Sequence, residues 1–212
     1  DLVDSCIGGK SSINASGIKN IVGNFYPPQS IYIDTLFLNT LNSTQYIAGL
    51  CEAVKICFAA LDDNSFTDYL RLTANNQNVN MLDVISLTLK TKKWFIEQDE
   101  FDKKERQLLN FGHTFGHAIE ATTNYKIPHG IAVGLGMIWA CNLSKKIYTN
   151  ISSNGQARIN NLMKYLTLLL MQCPDLDLAI IANNLDLLLE KFELDKKHNA
   201  HNYMCIIPNA EG

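Results

Sequence analysis

One run of residues carries most of the chemistry: Arg106-Gln107-Leu108-Leu109-Asn110-Phe111-Gly112-His113-Thr114-Phe115-Gly116-His117-Ala118-Ile119-Glu120. Read as a single helix from about 103 to 122, it places Arg106, Asn110, His113 and His117 at i, i+4, i+7 and i+11. That spacing is the stripe of an amphipathic helix. A stripe of one guanidinium, one amide and two imidazoles needs polar company, because such groups are costly to bury alone. A metal, an anionic ligand, or both would provide it. His-x-x-x-His on a helix is a zinc pair, but Thr114 follows His113 where the hydrolytic version has Glu. His129 at the start of a later helix and Glu52 on an earlier one extend the set. Two imidazoles and one carboxylate leave open positions on Zn²⁺, as a catalytic site requires. Spacing leaves open which two of the three histidines bind.

The cationic residues point to an anionic ligand. Arg106 can grip a phosphate or carboxylate at two points, and Lys10, Lys55 and Lys92 can add point charges. Taken singly, each lysine reads as a solvated surface charge; beside a divalent ion and Asn110 they describe a site for a small polyhydroxylated phosphate or carboxylate. Gly8-Gly9-Lys10-Ser11 is half of a phosphate-binding loop, with Asp4 where the first glycine of that pattern would stand. Lys93 belongs to a mixed-sign solvated face.

The elements that must position these groups are mainly helical. Residues 1–30 are loop-rich, 30–34 read as a short strand, and 35–40 as a turn or single helical turn. A helix follows over about 43–61, with Ser43 or Thr44 as N-cap. Glu52 and Lys55 share a face on it, and the apolar residues around them predict a helix buried nearly all round. Further helices are expected near 66–72, 81–96 and 131–146. Gly134 and Gly136 in the last of these allow a close helix crossing. Two Leu-rich helices, 159–171 and 176–192, read as bundle packing. A polar turn and a last strand, 203–207, close the chain.

Composition narrows the class. In 212 residues, 47% are hydrophobic, 18% are charged and the net charge is −3, which describes an ordinary globular protein and argues against a general nucleic-acid binder. Six scattered cysteines without a C-x-x-C pair fit free thiols in a reducing cytoplasm. No apolar run reaches membrane-spanning length and no signal peptide is visible. The chain opens Asp1-Leu2-Val3-Asp4 without an initiator Met, and the expectation is that sequence precedes it.

Four motifs together resemble 3-dehydroquinate synthase, of the sugar-phosphate cyclase superfamily: Val3-Asp4-Ser5-Cys6-Ile7-Gly8-Gly9-Lys10, Gly17-Ile18-Lys19-Asn20, Gly49-Leu50-Cys51-Glu52-Ala53-Val54-Lys55 and Leu109-Asn110-Phe111-Gly112-His113-Thr114-Phe115-Gly116-His117-Ala118. The likeness covers 1–146 and touches 194–208. It implies a predominantly α domain that binds metal and substrate over 43–212, with 1–42 as the remnant of an α/β NAD-binding domain. It implies a cytoplasmic lyase of the shikimate pathway, using NAD and Zn²⁺ or Co²⁺. The reaction would turn 3-deoxy-D-arabino-heptulosonate 7-phosphate into 3-dehydroquinate and phosphate, by transient oxidation, phosphate elimination, re-reduction and an intramolecular aldol closure. The ligands implied are Glu52, His113 and His129, with His117 as a proton-transfer group. Lys55, Lys92, Arg106 and Asn110 would join His117 in the catalytic set. Asp4, Lys10, Asn20 and Lys197 would bind substrate. Lys10, Lys19, Phe37, Leu38, Asn39 and Thr40 would approach NAD. Partners would be the sugar-acid phosphate alone, with no nucleic acid or membrane, and a homodimer is compatible.

The sequence departs from the family in places. The family's Gly-rich dinucleotide loop lies upstream of the segment like 4–10, and nothing in these residues supplies it, so the 212 residues alone are expected to bind NAD poorly or not at all. Thr44-Gln45 stand where Arg-Glu is usual, and Ile56-Cys57 where Tyr-Gly is common. Two rivals remain: another cyclase of the superfamily, such as a 2-deoxy-scyllo-inosose or 2-epi-5-epi-valiolone synthase, or a non-catalytic helical domain. The iron-dependent alcohol dehydrogenases share the architecture, but their larger histidine set fits less well.

Overall fold

The computed structural model describes residues 2–15, 18–62, 64–74, 79–174, 176–194 and 203–212, with residues 14 and 18–20 described by their backbone only. Lys19 and Asn20 therefore have no described side chain, and Lys197 and the polar turn around it lie outside the described residues.

A short antiparallel hairpin, β1 (Ile13–Ala15) and β2 (Ile18–Val22), comes first, where the sequence suggested loop. The strand expected at 30–34 does not form: no described residue pairs with this segment, and Tyr32 is 93% exposed. Its last residue instead caps the 3-10 helix Thr35–Thr40, Asp34 accepting from the Leu36 N–H at 2.9 Å.

The helical body follows. Helix α1 (Ser43–Ala59) is capped by Asn42, one residue before the expected cap, and is buried from Ile47 to Phe58 save Gly49. Helices α2 (Ser65–Thr73) and α3 (Met81–Gln98) pack on it. Helix α5 (His129–Ile147) is the centre of the bundle, with Ile131, Val133, Met137, Ala140 and Cys141 fully buried, touching α1, α4 (His113–Thr122) and α6 (Ser153–Leu170).

The single helix expected from 103 to 122 is two elements. A 3-10 helix, Glu105–Asn110, ends at Phe111, and α4 starts at His113 after Gly112 at φ +76°. Tertiary packing overrides the local 3.6-residue pattern here. A Cβ on Gly112 would stand 2.8 Å from Val133 O and 2.6 Å from Met137 Cγ, so α5 occupies the space a continuous helix would need. Gly136 answers from the other side, where a Cβ would meet Gly112 O at 2.1 Å. The front of the 3-10 helix is set by Asp99, whose carboxylate accepts from the backbone N–H of Lys103, Lys104 and Arg106 at 3.0, 2.6 and 3.3 Å.

Two later expectations also change. The helix read over 176–192 is broken into α7 (Ala179–Ala182) and α8 (Leu185–Glu193), with Asn184 Nδ2 donating to Ile180 O at 2.8 Å and so competing with the helix ladder. Residues 203–207 form no strand. They lie against the bundle, held by Thr114 Oγ1 donating to Met204 O at 3.3 Å and, just beyond, Ser144 Oγ donating to Pro208 O at 2.8 Å.

Candidate metal and substrate site

Helix α1 brings Glu52 and Lys55 inside, at 8% and 2% exposure. Their contact, Lys55 Nζ to Glu52 Oε2, is 2.5 Å, which makes it a buried pair and not a solvated helix-surface one. The other carboxylate oxygen, Oε1, is buried and accepts no hydrogen bond; His129 Nε2 stands 3.4 Å from it. His113 and His129 each open a helix, the first after left-handed Gly112 and the second after Pro128. Neutral imidazole is the form that binds metal.

The three imidazoles cluster, with ring centroids 5.2 Å apart for His113 and His129, 5.4 Å for His113 and His117, and 5.8 Å for His117 and His129. Candidate ligand atoms of Glu52, His113 and His129 lie within 4.8 Å of one another, as do those of His117, Glu120 and His129. The first set fits a divalent cation best. It contains the buried oxygen that lacks a donor, and a cation between Oε1 and two imidazole nitrogens would satisfy it. In His113, Nδ1 lies 3.2 Å from Phe111 O; a carbonyl can only accept, so Nδ1 carries the proton and Nε2 keeps its lone pair. Burial, then Lys55 and the two neighbouring histidines, hold the His113 pKa well below its usual range.

Beside this cluster lies a cavity of about 540 Å³. His113, His117 and His129 form one wall, and Lys55, Lys92, Arg106 and Asn110 line it from other elements. Asp4 and Lys10 reach it from the N-terminal segment. The break at Gly112 thus destroys the helical stripe, yet Arg106, Asn110, His113 and His117 still face one space. Asp4 ties the lysines together: Oδ1 is 2.5 Å from Lys92 Nζ and Oδ2 is 3.4 Å from Lys55 Nζ. Burial works to raise the Asp4 pKa, but the two ammonium groups outweigh it and hold the carboxyl well below the usual range. Glu52 is pushed up by burial, with Lys55 opposing. Burial also lowers the Lys92 pKa, whereas in Lys55 the carboxylates of Asp4 and Glu52 outweigh the same desolvation and raise it.

Arg106 differs from its sequence-level picture of a free two-point anion clamp. One donor on each terminal nitrogen already serves the backbone, Nη1 to Glu100 O at 2.6 Å and Nη2 to Gly8 O at 2.8 Å. The side chain therefore pins the N-terminal turn over the cavity. Lys10 sits at the exposed mouth, 2.5 Å from Asp102 Oδ2. Phe37, Leu38, Asn39 and Thr40 form most of the 3-10 helix Thr35–Thr40, where Phe37 is 71% exposed, and none of the four lines the cavity.

Sequence reasoning gave no role to Glu120. Its carboxylate is buried and its Oε2 lies 3.0 Å from His129 Nδ1. The available signal was helical spacing, three residues past His117 and seven past His113, which puts all three on one face of α4.

The family model described as 3-dehydroquinate synthase C-terminal matches residues 49–198, and the one described as 3-dehydroquinate synthase N-terminal matches 1–48. The chain belongs to the 3-dehydroquinate synthase family. The 3-dehydroquinate synthase of Campylobacter jejuni (strain RM1221) is 33% identical over 220 residues, covering 99% of this chain and 60% of that protein. That of Clostridium tetani is 39% identical over 170 residues, covering 78% and 45%. The chain thus spans about half the length of the curated relatives it matches. A solved 2-deoxy-scyllo-inosose synthase, complexed with carbaglucose-6-phosphate, NAD⁺ and Co²⁺, superposes with a TM-score of 0.76 at 26% identity, over 96% of this chain and 54% of that one. The 2-epi-5-epi-valiolone synthase of Streptomyces hygroscopicus, with NAD⁺ and Zn²⁺ bound, shares the fold at a TM-score of 0.64 and 24% identity, over 90% of this chain and 54% of that one. Among the described residues, no helix is long and apolar enough to cross a membrane.

Proposed function

We propose that these residues form the metal- and substrate-binding part of a 3-dehydroquinate synthase, a lyase that converts 3-deoxy-D-arabino-heptulosonate 7-phosphate to 3-dehydroquinate and phosphate in the shikimate route to aromatic amino acids. The observation that supports it most is the convergence of Glu52, His113 and His129 beside a cavity lined by Lys55, Lys92, Arg106 and Asn110. In this reading Glu52, His113 and His129 hold Zn²⁺ or Co²⁺. The ion would acidify a substrate hydroxyl as a Lewis acid, and NAD would accept and return the hydride of the carbon that bears it.

The chain's own residues do the rest. Lys55 and Lys92, already paired to Asp4, present ammonium groups to the sugar-acid phosphate. Arg106 keeps the N-terminal turn closed over it and offers its remaining donors, and Asn110 hydrogen-bonds a hydroxyl. His117, beside the two ligand imidazoles, moves a proton at the oxidised centre. Lys10, Asn20 and Lys197 complete the substrate site. Lys10 and Lys19, with Phe37, Leu38, Asn39 and Thr40, approach the dinucleotide. The division into a nucleotide-binding remnant over 1–42 and a metal- and substrate-binding domain over 43–212 belongs to the same reading. So does a cytoplasmic location, which suits six free cysteines, and a homodimer is compatible with it.

A second reading, another sugar-phosphate cyclase, is favoured by the likeness to the inosose synthase. Binding separates the two without turnover. The Zn²⁺-loaded chain, without NAD, is titrated calorimetrically with the heptulosonate 7-phosphate, glucose 6-phosphate and sedoheptulose 7-phosphate. At least tenfold preference for the heptulosonate is expected; preference for either of the others would overturn the dehydroquinate assignment. In the same instrument NAD alone is expected to bind more weakly than micromolar.

A further inference from the structure

Glu120 stands outside every role assigned so far, yet it is buried against a ligand of the candidate metal site. His129 lies between two carboxylates carried by different helices. Nε2 faces Glu52 Oε1 at 3.4 Å, and Nδ1 faces Glu120 Oε2 at 3.0 Å. A neutral imidazole carries one proton, and the two faces compete for it. If Nε2 carried it, the ring would donate toward Glu52 and could not bind metal there. At Nδ1 the proton makes the shorter contact, and Nε2 then presents a lone pair toward Glu52 Oε1.

We propose that Glu120 is a positioning residue: it holds the proton of His129 on Nδ1 and fixes the ring plane, so that Nε2 remains aimed at a divalent ion shared with Glu52 and His113. The placement is economical in sequence. One helix, α4, supplies a ligand from its first residue and, two turns later, the carboxylate that orients the ligand on α5. The α4–α5 crossing brings the two together. It is close enough that a Cβ on Gly116 would stand 3.1 Å from Val133 Cα, and the contact is therefore held rigidly. His113 has the neutral counterpart of this device in Phe111 O. The two ligand rings are thus oriented by different means, one by a carbonyl and one by a carboxylate.

The metal part of this inference rests on the reading given under Proposed function; the tautomer part does not. Two measurements keep the failures apart. In the metal-free, ¹⁵N-labelled chain, long-range ¹H–¹⁵N correlation of the His129 ring is expected to show Nδ1 protonated in the wild type and in Glu120→Gln, whose amide oxygen still accepts. In Glu120→Ala it is expected to shift toward the Nε2–H form. A neutral wild-type ring with its proton on Nε2, or a ring whose Nδ1 is unprotonated at any pH measured, would overturn the proposal. In Co²⁺ titrations followed by d–d absorption, Glu120→Ala is expected to bind about 10- to 100-fold more weakly, with an altered band envelope, because outer-shell partners of metal ligands typically carry that much. Glu120→Gln should retain the wild-type envelope with a loss of about threefold to tenfold, since it keeps the acceptor and lacks the charge. If Glu120→Ala does not fold by circular dichroism, Glu120→Gln decides the matter. Wild-type affinity in every folded variant would overturn the proposal. Absence of Co²⁺ binding by the wild type would overturn the metal-centre reading and leave the tautomer result to stand alone.

Discussion

Lys55 Nζ and Glu52 Oε2 are 2.5 Å apart inside the bundle, and that contact turns the other oxygen of the carboxylate toward His129. A buried ion pair one helical turn long thus aims a candidate metal ligand. Removing one partner leaves the other charge uncompensated. Glu52→Gln is expected to lower unfolding stability by about 3 kcal/mol, the low end for breaking a buried pair, because Asp4 remains 3.4 Å from Lys55. The double variant Glu52→Gln/Lys55→Met should recover most of that loss without recovering metal binding. Urea unfolding at pH 7 checks the first part and a Zn²⁺ titration the second.

Gly112 sets where His113 stands. Alanine there would carry a left-handed backbone and a Cβ 2.8 Å from both Met137 N and Val133 O. Strain of about 1–3 kcal/mol adds to the clash with backbone, so Gly112→Ala is expected to cost at least about 3 kcal/mol. Gly49→Ala is the control: nothing lies within 4 Å of its Cβ and its φ is not positive, so it should cost nothing and can add helix propensity. Thermal unfolding of the two variants distinguishes them.

Arg106 supports the N-terminal turn through Gly8 O and Glu100 O. Lysine keeps the charge but not the planar fork. Arg106→Lys is expected to lose one of these charge-assisted bonds, about 1.5–3 kcal/mol, and to raise hydrogen exchange in the turn carrying Asp4 as well as weaken substrate binding. A loss of substrate affinity with unchanged exchange would mean that the side chain acts on ligand alone.

Asp62 opens α2 by accepting from the N–H of Asn64 and Ser65 at 2.9 and 2.6 Å and from Ser65 Oγ at 2.7 Å. Slight burial pushes its pKa up, but these hydrogen bonds outweigh it and hold the carboxyl below the usual value. A depressed folded-state pKa stabilises above the unfolded value of about 3.9, and the benefit disappears as pH falls through the folded value. Asp62→Ala is therefore expected to cost about 1 kcal/mol at pH 7, as loss of a cap does, and progressively less below pH 4. Denaturation of both proteins across pH 3–7 tests the convergence.

Much of the fold was legible because the helices carry local signals. The buried α1 could be read from the apolar residues surrounding Glu52 and Lys55, and Gly134 and Gly136 announced a close crossing that the structure places against Cys51 and Gly112. What failed was long-range. The break at Gly112 depends on Val133 and Met137 of α5, more than twenty residues later, and no window of the 106–120 run contains them. Residues 30–34 and 203–207 have strand-like composition but pair with no strand among the described residues, and composition cannot supply a partner. The pairing of Ile13–Ala15 with Ile18–Val22 was missed because the glycine-rich composition of residues 1–30 reads as loop. In the site, His113, His117 and His129 were found by type and spacing. Glu120 shares a face with His113 and His117 by spacing alone, but the contact with His129 that gives it a role joins two helices and could not be read from one. The carbonyl engagements of Arg106 were equally invisible, since backbone acceptors leave no trace in sequence.

The central claim is that one divalent ion sits between Glu52, His113 and His129. Anomalous diffraction at the zinc edge, from crystals of the chain grown with Zn²⁺, tests it most directly. The expected result is a single strong peak about 2.0–2.2 Å from a Glu52 oxygen and from Nε2 of His113 and His129. A peak bound instead by His117, Glu120 and His129, or no peak in this cleft at all, would contradict it.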